Sequence, residues 1–327
     1  MRINILQWRY SPFLLLGFVL FGVESAHAVV KCDNPEMDDL TFDTVDSQST
    51  QRNTMAKFEI KCENTSQQQT RGATICVSIG PQRQMKNGSA TLNFQLYQDP
   101  SHSIIWGSQF GGSIAPYKFN VVLGPDAQQR FYATLYGHVL AGQTGIIPGK
   151  YGQEYRDNSA SVTVNAPDSN SPPNSCNTNY DRELDIEFKV EVLMIKNCQV
   201  TTTGALDLGS ITSGSTPTIK SSNANLINVT CTNGTPYNIG LSPSNGNVDG
   251  MGVMKNSTAT DIIPYQLQSN ASGKVWGNRN VTSTTIGNGV GRVGTGVVKG
   301  ETVFAKVSHT DVKPDNYSDT VTVHVNY

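Results

Sequence analysis

From Leu184 to Met194 apolar side chains fall on every second position. Leu184, Ile186, Phe188, Val190, Val192 and Met194 alternate with Asp185, Glu187, Lys189 and Glu191. A period of two predicts a β-strand with one buried face, here running from 184 to 195. Shorter alternating runs recur along the chain, among them Leu92-Asn-Phe-Gln-Leu-Tyr97 and Asp319-Thr-Val-Thr-Val-His-Val325. Runs of helix formers at 3.6-residue spacing are absent, so the pattern predicts an all-β protein.

The long alternating strand lies between two stretches that resemble each other. Cys32, Leu40-Thr-Phe-Asp43 and Ala56-Lys-Phe-Glu-Ile-Lys-Cys62 match Cys198, Leu206-Asp-Leu-Gly209 and Asn225-Leu-Ile-Asn-Val-Thr-Cys231. Further on, Leu92-Asn-Phe-Gln-Leu-Tyr97 and Trp106-Gly107 match Ile263-Pro-Tyr-Gln-Leu-Gln268 and Trp276-Gly277. Arg130-Phe-Tyr-Ala-Thr-Leu-Tyr136 is aligned with Thr302-Val-Phe-Ala-Lys-Val307, and Pro148-Gly-Lys-Tyr151 with Pro314-Asp-Asn-Tyr317. A repeat of roughly 130 to 150 residues built from short strands predicts two tandem β-sandwiches, since solenoid periods are far shorter. The expected division is a first domain over 29–183 closed by strand 184–195, and a second over 198–327.

Six cysteines allow fifteen pairings, and the repeat narrows them. It pairs Cys32 with Cys62 and Cys198 with Cys231, each closing a loop of about 30 residues. Cys76 and Cys176 remain for each other. No Cys-x-x-Cys pair or Cys/His cluster appears, so neither zinc nor any other cofactor is expected.

Residues 1–28 carry Arg2 and Arg9, an apolar run from Phe13 to Val23 and an Ala26-His27-Ala28 end, the pattern of a secretory signal. That address agrees with disulfide use. The formal net charge is −2, with 24 Lys and Arg against 26 Asp and Glu. Nothing in that balance points to nucleic acid, which calls for clustered basic residues.

The Cys-to-Cys opening, the Tyr-Gln-Leu…Trp-Gly block and the Pro-x-x-Tyr-x-Asp-x-Val-x-Val ending resemble the spore coat protein U family. Its members are subunits of archaic, Csu-type chaperone–usher pili, and a two-domain member with a divergent first half resembles the tip adhesins of such fibres. The resemblance implies immunoglobulin-like sandwiches that lack a last strand and are completed by a strand from a neighbour. Here Leu184, Ile186, Phe188, Val190, Val192 and Met194 are expected to complete the first domain within the chain. The second is expected to expose a groove beside Val321, Val323 and Val325, because no strand follows Tyr327. Only Val29 to Lys31 separate the expected cleavage site from Cys32, too few to donate, which places the subunit at a fibre tip. The implied partners are a periplasmic chaperone, an outer-membrane usher, an adjacent pilin subunit and a hydrophobic or host surface as target.

Adhesive residues are sought in loops that differ between the repeats. Val139, Leu140, Ile146 and Ile147 lie in a glycine-flanked stretch read as an insertion, and Ile104, Ile105, Trp106 and Phe110 lie among Ser and Gly. Trp106 is also a core candidate, because Trp276 occupies its repeat position. A sugar pocket from Tyr151, Gln153, Tyr155, Arg156 and Asp157 is the second reading, and a minor pilus subunit with no ligand is the structural alternative. An enzyme is the weakest one, with His102, His138, His309 and His324 scattered and outside any catalytic motif. Gly289-Val-Gly-Arg-Val-Gly294 fits a nucleotide fingerprint in form only and is read as a sandwich loop.

Overall fold

A computed structural model describes residues 29–45, 52–143, 145–176, 180–212, 219–258, 260–308 and 310–327. The expected signal over 1–28 and His309 fall outside these residues. The described residues form strands and no helix.

The first half contains β1 (Val30–Met37), β2 (Leu40–Thr41), β3 (Arg52–Asn64), β4 (Arg71–Ile79), β5 (Gln84–Asn87) and β6 (Ala90–Tyr97). It continues with β7 (Tyr117–Leu123), β8 (Gln128–Val139), β9 (Gly149–Tyr155), β10 (Ala160–Asn165), β11 (Arg182–Asp185) and β12 (Phe188–Met194). The second half contains β13 (Cys198–Thr202), β14 (Ile219–Cys231), β15 (Pro236–Pro243), β16 (Met251–Lys255), β17 (Ile262–Gln268), β18 (Val290–Val293), β19 (Lys299–Val307) and β20 (Val321–Asn326). One sheet of the first half is ordered β1-β3-β8-β6-β5-β9-β12-β2 and the other β11-β10-β4-β7. In the second half the orders are β13-β14-β19-β17-β16 and β18-β15-β20. The protein is thus all-β, two β-sandwiches in tandem, each with its own apolar core.

The repeat is visible in the cores. Trp106 Nε1 donates to Val77 O at 2.8 Å, and Trp276 Nε1 donates to Ile239 O at 2.9 Å. Both rings are buried, so an indole N–H without this acceptor would lose its solvation uncompensated. Trp106 is therefore core, not loop surface. The disulfides are Cys32–Cys62, Cys76–Cys176 and Cys198–Cys231.

Every residue of β4 is buried, on both faces. The inner face meets the core, while the outer face is covered by the segment leading to β11. Pro172 packs where a Cβ on Gly72 would sit, Pro173 O accepts from Thr74 Oγ1, and Cys176 is bonded to Cys76.

Three sequence expectations change. The strand expected over 184–195 is two: β11 pairs with β10 in one sheet and β12 with β9 in the other, the chain crossing at Ile186-Glu187. Second, Leu96 pairs with Gly137 and Leu267 with Ala305, so Gly137, not Ala133, is the counterpart of Ala305. The stretch from Val139 to Tyr151 is then nearly as long as that from Val307 to Tyr317, and no large insertion remains. Third, the Gly289–Gly294 stretch is not a loop: it holds β18, antiparallel to β15.

Candidate functional site: a filled groove and an open one

In the first unit, β12 lies in the cleft between β9 and β2. It runs antiparallel to β9, with Phe188, Val190, Val192 and Met194 opposite Tyr155, Gln153, Tyr151 and Gly149. Its other edge runs parallel to β2, Val190 beside Leu40, and the pairing continues through Phe42 N–H to Glu191 O at 2.9 Å. Ile186, Phe188, Val190, Val192 and Met194 are each at most 3 % exposed. Leu184 is half-buried on β11, opposite Val162. The Phe188 ring stacks on Tyr155, centroids 4.6 Å apart and planes 8° from parallel. Burying such side chains stabilises by about 1.5–3 kcal/mol each, an upper bound set by the extended-chain reference. The alternate residues face water, where Lys189 meets Glu154 at 3.5 Å and Glu191 meets Lys150 at 2.8 Å.

The second unit has the same cleft, and no described strand fills it. It is a groove of about 630 Å³ whose walls include Leu206, Leu208, Tyr265, Tyr317, Val321 and Val323. Ser318 pairs with Lys255, as Gly152 pairs with Lys86, so Tyr317 is the counterpart of Tyr151. On its other side, where β12 lies in the first unit, the Tyr317–Thr320 backbone has no strand partner among the described residues. Val325, opposite Ile239, continues this wall along β20 and is half-buried like Val321 and Val323. A sheet edge with unpaired N–H and C=O groups beside an apolar trough is a template for an added strand.

The groove also holds a polar couple. Tyr265 Oη donates to Asp319 Oδ2 at 2.6 Å, and Thr320 N–H donates to Asp319 Oδ1 at 2.8 Å. Burial, with the Asp319 bond second, pushes the Tyr265 phenol up and keeps it a donor at neutral pH.

The eight loop residues expected to be adhesive do not form one exposed patch. Val139 and Ile146 are 3 % exposed and Trp106 is fully buried. Ile147 N–H donates to Tyr151 Oη at 3.1 Å, and that hydroxyl donates to Ile147 O at 2.9 Å, which draws the loop backbone onto the sandwich while the Ile147 side chain stays exposed. The same loop faces the second unit: Asn233 Nδ2 donates to Gly145 O at 2.9 Å, and Ile147 lies against Gly234. Leu140, next to Val139, is exposed, and Ile105 is half-buried. Ile104 and Phe110 are exposed, and Ile114 beside them, which the loop pattern alone did not single out, is exposed too. The loop carrying them is anchored by Trp106 and by Arg83, whose Nη2 donates to Trp106 O at 2.7 Å.

The sugar-pocket residues do not converge on an opening. Tyr151 and Tyr155 are buried on β9 beside β12, Gln153 Nε2 donates to Glu154 O, and Arg156 lies outside with Glu154 and Asp157. Among the described residues, no group of three or more His, Cys, Asp or Glu is placed to hold a metal ion.

A family model for the Spore Coat Protein U domain matches residues 18–154 and again 185–324. The chain belongs to the Spore Coat Protein U domain family. The two matches place both sandwiches in that family, and the second begins at Asp185, ahead of the β12 strand. No curated protein matches the sequence. Among solved structures, the family member is similar to the CsuC–CsuE chaperone–tip adhesin pre-assembly complex of Acinetobacter baumannii, with 16 % identity, 91 % of this chain and 100 % of that one covered, and a TM-score of 0.48. It is also similar to the CupB6 tip adhesin of Pseudomonas aeruginosa, at 10 % identity over 91 % and 94 % of the chains, TM-score 0.37. A chaperone–tip adhesin complex of CFA/I fimbriae shares 12 % identity over 90 % and 97 %, TM-score 0.31.

Proposed function

We propose that this protein is an adhesive subunit at the tip of a chaperone–usher pilus. It is secreted through the periplasm, held there by a pilus chaperone and passed to an outer-membrane usher. The first unit is complemented by the chain's own β12. The second takes a strand from the adjacent pilin subunit. The observation that carries this reading is the contrast between the filled and the open groove in two units of one family.

The tip position follows from the same strand accounting. The first groove is occupied, leaving one acceptor. β1, the first described strand, is tied to β3 through Val30 opposite Asn64 and through the Cys32–Cys62 bridge. It is committed to its own sheet and is not itself free to donate, which supports the reading of a subunit at the end of a fibre.

Attachment, and the biofilm growth that follows from it, is assigned to the loop bearing Ile104 and Phe110, with Ile114 beside it. Exposed apolar side chains on an anchored loop gain energy by burial against a hydrophobic surface, abiotic or host. The protein is read as a binding subunit, not an enzyme. Val323→Asp, which puts a carboxylate in the open groove, is expected to abolish incorporation into surface fibres. Ile104→Ser with Phe110→Ser is expected to leave fibres intact and to lower attachment to polystyrene severalfold. Fibres at wild-type level with Val323→Asp contradict the assembly role, and unchanged attachment by the double variant contradicts the adhesive one.

A further inference from the structure

The two grooves share a plan but differ at one point along the wall. Met85 opposite Leu92 and Met254 opposite Ile263 are equivalent cross-strand pairs, as are the Lys86–Gly152 and Lys255–Ser318 bridges. This fixes Gln153 and Asp319 as counterparts. Phe94 pairs with Val139 and Tyr265 with Val307, so Phe94 and Tyr265 are counterparts as well. A phenyl ring and a neutral amide in the filled groove are thus replaced by a hydrogen-bonded phenol and carboxylate in the open one.

The filling strand meets this position directly. In the first unit the residue opposite Gln153 is Val190, fully buried, while the Gln153 amide turns away to the Glu154 carbonyl at 2.7 Å. A strand entering the second groove in the β12 register sets one side chain against Asp319. Among the described residues each Asp319 oxygen has one protein donor, Tyr265 Oη or Thr320 N–H, and retains acceptor capacity. While the groove is open, water fills that capacity. Closing it with valine strips the water and returns nothing, which is unfavourable for a carboxylate. A hydroxyl, amide or ammonium at that position supplies the missing donor.

We infer that the Tyr265–Asp319 couple sets the sequence selectivity and register of the second groove. It selects an alternating apolar strand with a hydrogen-bond donor opposite Asp319 and discriminates against the chain's own β12 sequence. The inference rests on the groove-filling reading above. It follows that β12 of one copy is a poor occupant of another copy's groove, which suppresses strand swapping between copies before the proper neighbour arrives.

The test titrates the full chain with two synthetic peptides, Glu183 to Ile195 as it stands and the same peptide with Val190→Thr, following affinity and melting temperature. Wild type is expected to bind the threonine peptide about tenfold more tightly, the scale of one hydrogen bond to a charged group. Tyr265→Phe with Asp319→Gln, which installs the first unit's residue pair, is expected to erase or reverse that preference. Asp319→Asn, which retains an acceptor for Thr320 N–H, serves as a second variant should the double change impair folding, and is expected to weaken the preference. Equal or tighter binding of the valine peptide by wild type overturns the inference, as does a preference that survives both variants. Binding of neither peptide overturns the groove-filling reading itself, and the inference with it.

Discussion

Leu40 and Phe42 in the first unit are sealed from solvent, whereas Leu206 and Leu208, which occupy the same stretch of the repeat, are half-buried. Tyr151 and Tyr317 differ in the same way. Neither pair differs much in hydrophobicity. What differs is whether a strand lies alongside. The lining of such a groove therefore carries apolar residues that only a partner can bury, and a half-exposed row of them beside an unpaired sheet edge marks a binding site.

The strongest way to break this contrast is a charge in each groove. Val190→Asp places a carboxylate among fully buried side chains and is expected to cost the first unit about 4 kcal/mol or more, read as loss of its urea transition. Val323→Asp, in the open groove, is expected to cost the free chain under about 1 kcal/mol. Equal losses would mean that the second groove is not open in solution.

A smaller effect belongs to the first unit alone. The Cys76–Cys176 bridge spans 100 residues and pins the segment that covers β4 and leads into β11. Replacing both cysteines by serine is expected to destabilise the first unit by about 2–5 kcal/mol and to leave the second unchanged, as calorimetry would show.

The smallest effect is a pH dependence, again of the first unit. His138 is held below the ordinary value of 6.5 by burial first and by nearby His102 second, the two rings lying 5.2 Å apart. Folding thus favours the neutral imidazole, the unfolded chain binds more protons, and stability is complete above about pH 6.5 and declines as pH falls below it. His138→Gln, which retains a side chain able to bond Asn53, is expected to flatten that decline in melting temperature between pH 7.5 and 5, and a slope unchanged by the substitution would contradict the assignment.

Much of this architecture was legible in the chain. The alternation of Phe188, Val190, Val192 and Met194 is deep burial written at period two, and the cysteine frame with Trp106 and Trp276 marks equivalent anchors. The crossing at Ile186-Glu187 was not legible, because the alternation continues while the pairing partner changes from β10 to β9. The β8 register was hidden for a related reason. Two alternating strands fit each other after any even shift, and only the ladder through Leu96 and Leu267 separates the choices. Ile146 looked like a loop tip because sequence does not show a loop returning to its sandwich, which here depends on the Tyr151 hydroxyl holding Ile147. The Tyr265–Asp319 couple was visible as residue types, but its place in a groove required the strand pairing.

The most direct test of the account is hydrogen exchange across the two matching walls of the full chain, 149–165 in the first unit and 317–325 in the second. The first wall is expected to exchange only with unfolding of its unit, whereas the second exchanges through local opening and becomes protected when a threonine-bearing strand peptide is added. Equal protection of both walls in the free chain, with no change on adding the peptide, would contradict it.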